Sequence, residues 1–152
     1  MKNWVLILVM LLSAVTGCSS SAGQNDKIDD NTAMKSIKIT VGNTTFTATL
    51  ADNSSAEALW EYVAKGDVRI EMEDYAGMEK VGLLGTTLPR NDEPIHTEPG
   101  DLILYQGNQF VIYYGTNSWS LTRLGKINNV SEEELVTVLG RGGVTVTLSV
   151  VC

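Results

Sequence analysis

From Ser36 onward, apolar side chains fall at every second position, in short runs that glycine, asparagine and proline interrupt. Ile37, Ile39 and Val41 alternate with polar neighbours, and Phe46, Ala48 and Leu50 do the same beyond Gly42-Asn43, so two strands pair through a two-residue turn. A period of two places such residues on one face of an extended chain, which is how a strand fills a core. The pattern returns at Val68, Ile70 and Met72, in the apolar run 81–84, at 101–105, at 109–114 beyond the turn Gln106-Gly107-Asn108, at 119–124, and in the Val- and Thr-rich stretch 144–151. Residues 74–79 read as irregular, and Pro89, Pro94 and Pro99 mark 86–100 as loop.

Two segments have the spacing of a helix instead. Ser54 with Glu57 forms a capping box ahead of the stripe Ala56, Leu59, Trp60 and Val63, which predicts a helix over 54–65 that stops at Gly66. Ser131 with Glu134 repeats the box, with Val130 and Leu135 as a hydrophobic staple, and predicts a second helix over 132–139 before Gly140. Seven or eight short strands with two helices make an all-β barrel or sandwich whose open ends the helices can plug.

The N-terminus belongs to a different kind of segment. Lys2 precedes an unbroken apolar run from Trp4 to Leu12, the order of an export signal, and the run is shorter than the roughly 20 apolar residues that a bilayer-spanning helix needs. Residues 1–17 therefore read as a removable signal peptide. Val15-Thr16-Gly17-Cys18 resembles the lipobox of bacterial lipoproteins. That resemblance implies acylation of Cys18, with chains such as palmitate, and cleavage before it. It also implies anchoring to a bacterial membrane in the cell envelope, at the outer membrane or the cell surface, with the domain outside the cytoplasm. Residues 18–34 are small and polar and form a flexible tether, and 35–152 are the size of one domain.

The formal charge of −7 and the scattered placement of Lys and Arg argue against nucleic acid as a partner. Of the two cysteines, Cys18 and Cys152, the first is committed to lipid, so no intramolecular disulfide is expected. His96 is the single histidine, which rules out a His-based zinc site and a Ser/His/Asp triad. Glu71, Glu73 and Asp74 lack calcium-loop spacing, and alternation with Ile70 and Met72 puts the two glutamates on the outward, solvated face of a strand. The glycines at 82, 85, 140, 142 and 143 match no phosphate or dinucleotide loop. No metal and no cofactor are expected.

Gly100-Asp101-Leu102-Ile103-Leu104-Tyr105 followed by Gly107-Asn108-Gln109-Phe110-Val111-Ile112, and later Leu124-Gly125-Lys126-Ile127 before a short helix and a closing strand, resemble the cyclophilin fold. Asp74-Tyr75-x-Gly77-Met78-Glu79-Lys80 and Tyr113-Tyr114-Gly115-x-x-Ser118-Trp119 resemble its bacterial cyclophilin-like branch more closely. The resemblance implies a closed barrel of about eight strands with two capping helices. Prolyl isomerases of this fold use an arginine to polarise the proline carbonyl, with a glutamine, a phenylalanine, a tryptophan and a histidine. Gln109 matches the glutamine, whereas Val111 stands where the phenylalanine belongs, Glu71 to Tyr75 offer acids for the arginine, and His96 matches nothing. The nearest arginine, Arg69, lies before that motif, and Trp119 falls near the tryptophan's segment at a shorter spacing.

On the strand 109–114, Gln109, Val111 and Tyr113 share one face and Phe110, Ile112 and Tyr114 the other. By the resemblance the first set lines an outer groove and the second the barrel core. Two readings of the first set stand. Tyr75, Met78, Gln109, Tyr113 and Trp119 form a groove for a peptide, an exported protein or a small apolar ligand, or they only cover the barrel end. The expected role is a membrane-anchored binding or accessory module without efficient catalysis, the alternative being a weak or repurposed prolyl isomerase acting on exported proteins.

Overall fold

The computed structural model describes residues 33–152. The signal segment 1–17, Cys18 and the tether as far as residue 32 lie outside the described residues. The order of elements is β1 (Ser36–Val41), β2 (Thr44–Leu50), α1 (Ser54–Ala64), β3 (Val68–Tyr75), β4 (Glu79–Leu83), β5 (Glu93–His96), β6 (Asp101–Tyr105), β7 (Gln109–Tyr113), β8 (Ser118–Ile127), α2 (Glu132–Leu139) and β9 (Val144–Val150).

Every strand pairing is antiparallel. The strand order is β2-β1-β9-β3-β4-β7-β6-β8, and a further pairing of β2 with β8 closes these eight strands into a barrel, with β5 attached outside along β8. At the closing seam Ala48, Thr49 and Leu50 face Ile127, Lys126 and Gly125. The chains approach so closely there that a Cβ on Gly125 would lie 2.3 Å from the Thr49 carbonyl oxygen. The alternation left barrel and sandwich open; the closed barrel of about eight strands that the resemblance implies is the fold, with one strand more than the eight.

The interior is filled by the alternating residues of each strand: Ile37, Ile39 and Val41, Phe46, Ala48 and Leu50, Ile70 and Met72, Leu102 and Leu104, Phe110 and Ile112. Ala56, Leu59 and Val63 of α1 and Leu135 and Leu139 of α2 join the same core, so each helix is held by its apolar stripe. Some outward residues of the central strands are buried as well. Ile103, Val111, Tyr113 and Leu121 form a second apolar cluster with Ile95 of β5, against which Val81 packs.

Four sequence expectations are corrected. The N-cap of α1 is Asn53, not Ser54: its side chain accepts from the Ala56 amide at 2.8 Å. Asn53 can do this while its amide nitrogen donates to the Arg123 carbonyl at 2.8 Å, tying helix to barrel, which a serine hydroxyl cannot do at both places. The helix closes at Ala64, one residue short of the expectation, with Lys65 as C-cap. The stretch 74–79 is not irregular, because β3 runs on to Tyr75 and β4 starts at Glu79. Ala76 (φ 53°) and Gly77 (φ 62°) take the left-handed conformation that a tight reversal needs. Finally, 86–100 is not all loop. It contains β5, whose Pro94 is tolerated because the strand lies at the end of the sheet order.

Candidate functional site

The outward face of five successive strands, β3, β4, β7, β6 and β8, borders a cavity of about 1100 Å³. Strand register lays out its floor. Glu79, Val81 and Leu83 of β4 stand directly opposite Tyr113, Val111 and Gln109 of β7, and Ile103 and Tyr105 of β6 face Val111 and Gln109. On the other side, Tyr75 and Glu73 of β3 face Glu79 and Val81. The floor is thus the second apolar cluster, and the walls are longer and more polar.

The rim is apolar where solvent would normally impose polarity. Among the described residues the exposed large hydrophobic side chains are Met34, Tyr75, Leu83, Tyr105, Trp119, Val136 and Val151, and four of these (Tyr75, Leu83, Tyr105 and Trp119) border this one cavity. Leu83 is 69% and Trp119 63% exposed. Scattered exposed apolar residues need no explanation, but a set gathered round one hollow does. All five residues singled out from the sequence lie here: Tyr75 and Trp119 on the rim, Met78 and Gln109 half-buried, and Tyr113 buried at the base. Phe110 and Ile112 lie in the barrel core, with Tyr114 partly buried against it.

The base of the cavity is polar at one spot. Glu79 is only 9% exposed, and its Oε2 has no hydrogen-bond partner. The Tyr113 hydroxyl bonds to the carboxyl, and it accepts in turn from the Asn117 side-chain amide at 3.3 Å. Burial pushes the Glu79 carboxyl above the usual carboxylate range, with the Tyr113 contact opposing. Burial, with the neighbouring carboxylate, also pushes the Tyr113 phenol up. A second buried carboxylate oxygen without a hydrogen bond, Asp101 Oδ1, has the Arg123 guanidinium at 3.1 Å, so its charge is matched.

Three more acids stand on the wall. Glu71 bonds to Thr145 and to Arg69, whose Nη2 lies 2.9 Å away, and the hydrogen bonds from both hold its carboxyl below the usual range. Asp74 accepts from the Tyr114 hydroxyl and from Lys80 Nζ at 3.0 Å, and these contacts lower its pKa. Glu73 is exposed. Lys80 reaches Asp74 from the opposite face of β4. Its side chain is fully buried, and Nζ also donates to the carbonyls of Gly140 at 3.0 Å and Gly142 at 2.7 Å, so it satisfies the C-terminal end of α2.

Arg69, placed by the sequence before the family's arginine motif, lies on the outward face of β3 and borders the cavity, paired with Glu71. His96 does not border it: Nδ1 lies 2.8 Å from the Ser118 hydroxyl on the far side of β5. Sequence reasoning missed Glu79, Val81, Ile103 and Leu121 as cavity residues. The signal for Glu79 was present, since it lies two residues from Val81 and four from Leu83, on one face of a strand once that strand is recognised.

Residues 39–149 match the cyclophilin-like family. No curated protein matches the chain in sequence. Among solved structures, a hypothetical protein from Archaeoglobus fulgidus, determined in solution, is similar at a TM-score of 0.58 and 12% identity, over 80% of this chain and 98% of its own. McbB, solved in complex with tryptophan, is similar at a TM-score of 0.55 and 15% identity, over 74% of this chain and 44% of its own. At these identities the likeness to the two structures is one of fold alone.

Proposed function

The chain belongs to the cyclophilin-like family, and from that premise we propose that it is a lipid-anchored module of the cell envelope that binds a peptide or small ligand in its outer groove without efficient catalysis. The observation that carries the reading is the ring of exposed aromatic and aliphatic side chains round a cavity with an apolar floor. Catalysis by the isomerase route needs a guanidinium aimed at a proline carbonyl. Here the guanidinium that borders the cavity, Arg69, is spent on Glu71, and Val111 replaces the stacking phenylalanine. Loss of one such electrophilic donor typically costs a factor of about 100 to 1,000 in rate. Anchoring rests on the lipobox Val15-Thr16-Gly17-Cys18.

The second reading, a weak prolyl isomerase for exported proteins, is favoured by one observation: Arg69 and Gln109 border the same cavity. Titration calorimetry of the full chain in detergent with short apolar peptides should show binding that Trp119→Ala weakens, while proline isomerisation in a test peptide runs no faster than with an inert protein. Acceleration well above that control overturns the non-catalytic reading, and no binding by any peptide overturns the groove. For the anchor, Cys18→Ala should abolish palmitate labelling and partition into detergent; unchanged labelling would refute the lipobox.

A further inference from the structure

The carboxyl at the base of the groove is what the apolar floor does not explain. A buried carboxylate oxygen without a donor costs free energy, and interiors ordinarily satisfy such atoms. Glu79 borders the cavity and its Oε2 is shut away from solvent without a hydrogen-bond partner, while its surroundings supply one donor, Tyr113, and no cation. The charges facing the cavity have one sign in excess. Arg69 is matched by Glu71 and Asp74 by Lys80 from behind, which leaves Glu73 and Glu79 unmatched. An anionic ligand would be repelled here, and an apolar one would leave Oε2 as it is.

Building on the groove reading, we propose that the cavity takes a ligand with a cationic head, a protonated amine or guanidinium, on an apolar stem, the head on Glu79 and the stem along Val81, Val111 and Ile103. The three aliphatic side chains lie on the adjoining strands β4, β7 and β6 and pair across them, so they make a continuous apolar track that begins beside the carboxyl. Tyr75 and Tyr113 are the direct cross-strand neighbours of Glu79, so two aromatic side chains flank the place the head would take. A cation seated there would favour the charged carboxylate and so oppose the burial that raises the Glu79 pKa.

The probes are acetylated tripeptide amides with lysine, glutamine or norleucine between valine and phenylalanine, titrated calorimetrically into the full chain in detergent. The lysine peptide should bind at least about tenfold more tightly than either uncharged one, the scale of a charge-assisted hydrogen bond in a shielded site. Glu79→Gln should bring it down to the level of the glutamine peptide, and Glu73→Gln on the rim should cost less. Because glutamine is isosteric with glutamate, a thermal melt of each variant separates a lost site from a lost fold. If lysine and glutamine peptides bind alike, or Glu79→Gln leaves the preference intact, the cationic assignment is overturned while the groove stands. If none of the three binds, the groove reading fails and the assignment with it. Competition by n-hexylamine supports recognition of the head and stem alone, and its failure to compete against a bound lysine peptide supports a peptide-borne lysine.

Discussion

Glu79 has its pKa raised above the ordinary value of 4.5 by burial. The folded state therefore holds that proton more tightly than the unfolded chain, so Glu79 favours folding least at neutral pH and the penalty appears as pH rises through and above 4.5. Glu79→Gln removes the penalty. The melting temperature of the variant should exceed that of the wild type at pH 7, and the gap should shrink toward pH 4. Asp74, whose pKa is lowered from 3.8 by Tyr114 and Lys80, has the opposite sign: its contribution is present at neutral pH and lost on acidification. It is common to both proteins and cancels in the difference. A variant less stable than the wild type at pH 7, or a gap that does not vary with pH, would refute the burial argument.

At the scale of the element, β7 carries two jobs on two faces. Phe110 is fully buried in the barrel core, while Gln109, one residue earlier, is half-buried on the cavity wall. Phe110→Ala should cost about 3–5 kcal/mol, because the surrounding strands cannot collapse into the space, whereas Gln109→Ala should stay within about 0.5 kcal/mol. Denaturant titrations of both variants check this; a neutral Phe110→Ala would reverse the faces. Strands such as β1, β2 and β9 were legible in the sequence because their apolar residues alternate without interruption. The phase of β4 was hidden for a physical reason. Its inward positions are Lys80 and Gly82 and its outward ones Val81 and Leu83, the reverse of the usual pattern. Outward Val81 packs on a second apolar cluster, and the lysine is satisfied by carbonyls that lie some 60 residues away in the chain. Nothing local in the sequence announces either partner. Four-residue β5, with Pro94 inside it, was invisible for the same reason, since only Ile95 is buried and its cluster is assembled from other strands.

At the scale of the molecule, the barrel depends on one seam. β2 and β8 meet over three residue pairs, and at Gly125 there is no room for a Cβ between them. Gly125→Ala would put a methyl group 2.3 Å from the Thr49 oxygen. The seam must part to admit it, so the variant should lose about 1–3 kcal/mol or more, with faster amide exchange in β2 and β8 than in β3 and β4. Uniform exchange across the sheet would show that the seam is not the weak point. Closure has a consequence for a crowded surface, where many copies of one chain are held at high density. A sheet with open borders invites the next copy to add its own strand and grow a ribbon without limit. Here the last strand in the order is β5, four residues long and short of one backbone donor at Pro94, so neighbouring copies have almost nothing to template on and can stand close without zipping together.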